Sequence, residues 1–388
     1  MRLFGFSLKL LYPNGVTFTA NIAMQSIAMA VDTYCNRLQD CVYRLQSHML
    51  KLEDIAKLAG VSHSTVSRAL AGSTLVNRAT RERIEAIAND HGYQVNQVAR
   101  NLKLQHTNTI GLIAPELSNP YYPKLVQSIA NCVGDSGYSL QLHLSGKDQE
   151  NELNSLINLR NNRVDGILLV TGEHGLVASE YAAGLHKSGM PIVFMGWFPG
   201  AEDFDFVTGD DADGARQIAR HLLGLGHKNI AVIGKPVHRG PFDRTTAFIN
   251  EVAQRDVVID IANRYEITSE QDVILAVKQL LQTEPRPTAI FAYQDSIAMV
   301  VCKELHAAGL RVPHDISVIG FDDLDIASFV SPALTTVGCH IDAMAHAFVN
   351  RLTDRISSGS AATQPTGIVV PTVLIPRQSS GNTPLKPR

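Results

Sequence analysis

Several polar side chains crowd one short segment, HSTVSRAL, which carries His63, Ser64, Ser67 and Arg68. An imidazole, hydroxyls and a guanidinium suit hydrogen-bonded recognition of an acceptor-rich surface, and the guanidinium's planar fork can hold paired acceptors. A different set is scattered along the rest of the chain, each member following a short apolar run. Tyr121 and Tyr122 come after TIGLIAP, Trp197 after PIVFMG, and Asp210 and Asp211 after FVTG. His238, Arg239 and Arg244 follow NIAVIG, and Asp295 follows TAIFAYQ. Aromatic faces beside Asp and Arg suit a sugar, whose C–H face stacks and whose hydroxyls take charged partners; a purine could stack as well. Asp322, Asp323 and Asp325 in GFDDLD bring carboxylates together, as acid–base chemistry or a metal would require. Nothing else supports that chemistry. The chain has no Gly-x-Gly-x-x-Gly, no Gly-x-x-x-x-Gly-Lys-Ser/Thr, no Gly-x-Ser-x-Gly and no helical His pair with a Glu between. No catalytic residue, metal or cofactor is expected.

These residues need elements to position them. In LEDIAKLA, residues Leu52, Ile55, Ala56, Leu58 and Ala59 fall on one helical face. Gly60 permits a turn, and Ser62 suits the N-cap of the next helix, which buries Val66 and Leu70. Thr80 can cap a third helix, RERIEAIANDHG, with Ile84 and Ile87 inward and Gly92 at its stop. Three short helices with a tight first turn describe a helix-turn-helix domain. From Thr109 the pattern changes to apolar runs (TIGLIAP, SLQLHL, DGILLV, PIVFMG, NIAVIG, TAIFAY, ISVIGF) separated by helical stretches such as 124–136, 150–161, 213–225 and 297–308. This is the βαβ rhythm of parallel sheets, and its length suggests a pair of open sheets. Open α/β sheets bind ligands at the carboxyl ends of their strands, which is where the scattered set lies.

The net charge of −3 conceals an asymmetry: residues 51–108 carry about +3, residues 1–50 about +2, and the rest about −8. A small basic unit on an acidic body fits a polyanion-binding head on a carrier. Hydrophobic content of 45% leaves room for a large core, and no apolar run reaches the ~18 residues of a membrane span. Cys35, Cys41, Cys132, Cys302 and Cys339 include no Cys-x-x-Cys pair and are odd in number, which favours free thiols in a reducing cytoplasm. Residues 1–48 lack a continuous apolar stretch of secretory type; they read as an extension upstream of a start at Met49. The expected organisation is extension (1–48), helix-turn-helix (49–95), hinge and linker (96–108), two-lobed body (109–378) and disordered tail (379–388).

The segment LEDIAKLAGVSHSTVSRALAGSTLVNRATRERIEAIANDHGYQVNQVARNLK resembles, without gaps, the DNA-binding head of the LacI/GalR family of bacterial repressors. The landmarks VDGILLV, LGLGHKNIAVIG, RPTAIFAYQDSIAM, VPHDISVIGFDDLDIASFVSPALTTV and LIPRQS extend the resemblance to about Gln378. It implies an α/β chain: a three-helix head joined to a periplasmic-binding-protein-like body with parallel sheets and three chain crossings. By this resemblance the second helix enters the major groove, with His63, Ser64 and Arg68 facing base edges. Arg68 is the strongest candidate, because arginine grips guanine O6 and N7 in a fork. Ser62, Thr65, Ser67 and Asn77 would hold phosphates. Asn96 and Arg100 match groove- or backbone-facing hinge positions, and Leu102 matches a minor-groove wedge. The family commonly has Pro before the hinge Asn; here Val95 stands there.

In the body, Tyr121, Tyr122, Trp197, Arg244 and Asp295 match effector-contacting positions of the ribose- and purine-responsive branch. Asp210 matches the acid of a family Asp-Asn-x-x-Gly-Gly stretch that here reads DDADGA. Bland alternatives stand beside these roles: helix-entry packing for Tyr121, an exposed loop aromatic for Trp197, a helix cap for Asp295 and a surface ion pair for Arg244. The functional expectation is a cytoplasmic, effector-controlled regulator, most simply a repressor. It would bind palindromic double-stranded operator DNA as a homodimer or a tetramer and respond to a sugar or purine, with no membrane partner. The alternatives are a solute-binding protein of a transport system and, more remotely, a sugar- or nucleotide-processing enzyme.

Overall fold

The computed structural model describes residues 51–70, 73–91, 93, 106–146, 148–171, 178–235, 240–358 and 364–384. The expected extension (1–48), most of the hinge, and His238 and Arg239 lie outside the described residues. The chain divides into two compact units, residues 1–100 and 101–388.

In the first unit, α1 (Leu52–Ala59), α2 (His63–Leu70) and α3 (Arg78–Asp90) enclose a small core of Ile55, Ala56, Ala59, Val66, Ala69, Val76, Ile84 and Ala88. Gly60 ends α1 in the left-handed region at φ 60°, which spares an L-residue's Cβ the clash it would meet there. The Arg83 guanidinium also donates to the Ala59 carbonyl at 2.7 Å, covering an orphan acceptor at the end of α1. Two details depart from the sequence reading. Leu58 is exposed, because its position points off the three-helix core. The cap of α3 is Asn77, whose Oδ1 accepts the Thr80 N–H at 2.8 Å, so Thr80 is the capped residue.

The second unit holds two parallel sheets. The first lobe carries β1 (Thr109–Ala114), β2 (Ser139–Leu144), β3 (Gly166–Val170), β4 (Ile192–Met195), β5 (Asp205–Gly209) and β11 (Gly367–Val370), in the order β11-β5-β4-β3-β1-β2. Its helices α4 (Tyr121–Asp135), α5 (Gln149–Asn161), α6 (Ala178–Lys187) and α11 (Ile341–Ser358) accompany it. One face buries Leu112, Leu125, Ile129, Leu168 and Phe348; the other buries Ile113, Leu156, Ile167 and Phe194. Sheets covered on both faces need apolar residues at successive positions, which explains the unbroken runs. The second lobe has β6 (Ile230–Gly234), β7 (Arg264–Glu266), β8 (Ala289–Ala292) and β9 (Ser317–Ile319) in the order β7-β6-β8-β9. Around it lie α7 (Asp211–Gly224), α8 (Arg244–Ala253), α9 (Glu270–Leu280) and α10 (Asp295–Ala307).

The chain crosses between the lobes three times: from β5 into α7, from β10 (Thr336–Cys339) into α11, and from β11 into β12 (Thr372–Ile375). The crossing strands β10 and β12 pair antiparallel, Cys339 opposite Thr372.

The expected disordered tail is corrected over residues 379–384. Ser379 is fully buried and its hydroxyl donates to the Val318 carbonyl at 2.6 Å while accepting the Thr335 N–H at 2.8 Å. His227 is bonded to the Gly381 carbonyl at 2.9 Å, and Thr383 N–H donates to Leu225 O. The strap's polar composition suggested solvent, but its groups satisfy buried polar atoms of the second lobe.

Candidate recognition helix and interlobe cleft

On α2, His63, Ser64 and Arg68 are exposed, while Val66 and Ala69 face the core. Ser62 stands at the head of the helix: its Oγ accepts the Thr65 N–H at 3.2 Å and lies 2.8 Å from both Ser64 Oγ and Thr65 Oγ1. This hydroxyl cluster holds Ser64 and Thr65 at the cap and leaves the imidazole and guanidinium as the longest groups on the outer face. Ser67 is partly buried, and Asn77 is exposed while capping α3. Asn96, Arg100 and Leu102 lie outside the described residues.

In the body, a cleft between the lobes is lined at the strand ends by Thr171, Met195, Gly196, Thr208 and Gly209. From the first lobe come Asn119, Tyr121 and Tyr122; from the second, Asp211, Arg244, Gln294, Phe321 and Asp322. Cys339 contributes from the crossing strand β10. At its centre is Arg244. Its Nε donates to Asp211 Oδ2 at 2.9 Å, and its Nη1 lies 3.0 Å from Asp322 Oδ1 and donates to the Tyr293 carbonyl at 3.0 Å. The guanidinium carbon stands 3.7 Å from the centre of the Phe321 ring, a cation–π geometry. Burial opposes the arginine's charge, but Asp211 and Asp322 outweigh it and raise its pKa. Asp322 holds this position at φ 108°, a region costly for a non-glycine residue and found at clamped sites.

Tyr121 and Tyr122 meet edge to face, ring centres 5.5 Å apart. Burial raises the Tyr121 phenol, and Asp322, Cys339 and Asp211 add to the effect, so the hydroxyl remains a donor. Burial, with Asp211 adding and Arg244 opposing, pushes the Cys339 thiol up to about 12, so it sits in the cleft as a neutral group. The cleft retains about 70 Å³ of free space.

The structure thus gathers Tyr121, Tyr122 and Arg244 in one cleft and places the other expected members beside it. Asp210 is the N-cap of α7: its Oδ1 accepts the Asp213 N–H at 2.9 Å, and the acid that lines the cleft is its neighbour Asp211. Asp295 is fully buried below the lining. Its Oδ2 accepts the Leu324 N–H at 2.8 Å and its Oδ1 the Thr336 hydroxyl at 2.5 Å. Trp197 lies against Gly240 rather than on the lining. The GFDDLD carboxylates do not work as a group, since each has its own cation: Asp322 with Arg244, Asp323 with Arg377, Asp325 with Lys124. Sequence reasoning missed Thr171 and Gln294, although each directly follows a strand run, and it missed Cys339, whose strand carries no βαβ signal.

The head matches the profile of bacterial regulatory proteins of the lacI family over residues 51–96, and a periplasmic binding protein-like domain matches residues 219–380. The ribose operon repressor of Escherichia coli (strain K12) is 34% identical over 325 residues, which are 82% of this chain and 94% of that protein. The chain belongs to the LacI family of bacterial regulators. The transcriptional repressor PurR of Vibrio atlanticus is 30% identical over 74% of this chain and 86% of its own length. Among solved structures, the lac repressor dimer bound to operator and an anti-inducer aligns with a TM-score of 0.76 at 25% identity, over 86% of this chain and 99% of that one. A LacI family regulator from Enterococcus faecium with bound ribose aligns with a TM-score of 0.61 at 26% identity, over 72% and 100%. The LacI-family chain is therefore a DNA-binding transcriptional regulator with a ligand-binding body. Its relatives are repressors rather than enzymes, and the solute-binding alternative is not favoured. No described helix is long and apolar enough to cross a membrane.

Proposed function

We propose that this regulator is a cytoplasmic repressor. It works as a homodimer on a palindromic operator and is controlled by a small hydroxyl-rich effector, ribose first, that binds between the lobes. The observation that carries the effector reading is the Arg244–Asp211–Asp322 cluster. It presents a fixed guanidinium and carboxylates beside the Tyr121 hydroxyl, a set that matches the paired donors and acceptors of sugar hydroxyls. The ribose repressor at 34% identity supports the same choice.

On the head, His63, Ser64 and Arg68 read base edges. Ser62, Thr65, Ser67 and Asn77 set the helix on phosphates, and two-fold symmetry of the dimer makes the operator palindromic. Effector binding shifts the balance between shut and parted lobes, and that balance biases DNA affinity. The test is operator binding by the full chain, titrated with ribose, hexoses and purine bases, alongside calorimetry of each ligand. Ribose that binds and weakens operator affinity supports an inducible repressor. A purine that binds and tightens it replaces the effector class and makes the protein corepressor-dependent. Ligand binding without operator affinity in any state overturns the repressor reading.

A further inference from the structure

Two contacts join the lobes beside the cleft without lining it. In the first, Lys124 Nζ lies 2.6 Å from Asp325 Oδ1. Lys124 is on α4 of the first lobe, three residues beyond Tyr121; Asp325 is in the turn after β9 of the second, 201 residues away in sequence. In the second, the Trp197 indole, which follows β4 and the cleft residue Gly196, lies against Gly240, which precedes α8. A Cβ on Gly240 would stand 2.4 Å from the indole carbons, closer than any real contact.

Both contacts depend on lobe separation. Their partners sit on different sheets, so parting the lobes breaks them while leaving each lobe's core intact. The ion pair is exposed, which makes it a weak tie, worth a factor of about 1.4 to 5 in an equilibrium and screened by salt. A weak tie suffices where the balance itself is fine. We propose that Lys124–Asp325 and Trp197–Gly240 form a two-point clasp that sets the equilibrium between shut and parted lobes, its ionic half making that equilibrium respond to ionic strength. The consequence for effector affinity rests on the cleft being the effector site; the clasp itself does not.

Trp197 is the chain's single tryptophan, so its emission reports the clasp with no ligand present. In the ligand-free full chain the emission should move to longer wavelength as NaCl rises from 0.1 to 1 M, where the Debye length falls from about 10 to about 3 Å. Asp325→Asn should begin near the high-salt position and respond little, and the exchanged pair Lys124→Asp/Asp325→Lys should regain the wild-type response. Asp325 is highly exposed, so these variants should fold. Gly240→Ala should shift the emission at every salt concentration and weaken ribose binding; Asp325→Asn should weaken it about 1.4- to 5-fold at low salt only. Wild-type emission that ignores salt, or Asp325→Asn emission that matches wild type, overturns the clasp. A salt response that persists although ribose fails to bind supports the clasp and counts only against the effector reading.

Discussion

The recognition helix and the interlobe cleft solve opposite problems. On α2 the side chains proposed to read DNA, His63, Ser64 and Arg68, are close in sequence, exposed, and backed by an eight-residue helix whose other side is Val66 and Ala69. In the cleft the groups proposed to face an effector come from strand ends and helix starts more than two hundred residues apart, and the central arginine is buried among carboxylates. The head leaves His63 and Arg68 exposed to a partner, with the short Ser62, Ser64 and Thr65 hydroxyls and the Asn77 cap bonded locally. The cleft satisfies its own groups first, so a ligand there must compete with contacts already made. Substitutions in the head should therefore change recognition with little change in fold, and those in the cleft should change both.

The sharpest test of that difference is Arg244→Ala. It leaves Asp211 and Asp322 buried without their cation, which should cost about 3–5 kcal/mol of body stability and abolish the effector response. Urea unfolding and calorimetry check it; an unchanged midpoint would erase the contrast with the head. Arg68→Ala should lose about 1–3 kcal/mol of operator affinity and relax preference at one base pair, with thermal unfolding unmoved. Equal loss on every DNA sequence would make Arg68 a phosphate contact.

Asp295 extends the comparison to pH. Burial, reinforced by Asp322 and opposed by the Thr336 and Leu324 hydrogen bonds, raises its carboxyl to about 8 from an ordinary 3.8. The folded state then holds a proton that the unfolded chain has released. Its stabilising contribution is full below about pH 4 and is lost as pH rises towards 8, with a slope of at most about 1.4 kcal/mol per pH unit. Asp295→Asn should flatten that slope in denaturation measured from pH 5 to 9. A slope identical to wild type would mean that Asp295 does not hold the proton. The smallest expected effect is Asn77→Ala, which removes the cap of α3 and should cost the head about 1 kcal/mol, leaving effector binding untouched. Melting of the head followed by circular dichroism checks it.

The sequence alone was enough for the head, the alternation of strands and helices, and the placing of several cleft-lining groups just after strand runs. Those signals are local: helical spacing in LEDIAKLA, unbroken apolar runs in doubly covered strands, Gly60 at a left-handed turn. It also identified Tyr121, Tyr122 and Arg244, which the structure brings together. Tertiary structure decided what neighbouring or look-alike residues do. Asp210 and Asp211 are adjacent and chemically equal, and only the direction of α7 makes one a cap and the other a cleft residue. Asp295 has the position of a ligand contact, yet the return of β10 brings Thr336 onto its carboxylate. The strap at 379–384 reads as polar tail until its partners, far away in the chain, are in place. Spacing along a chain determines which face of an element a residue occupies. What lies opposite that face depends on long-range packing, and a buried polar group takes its role from the partner it meets there.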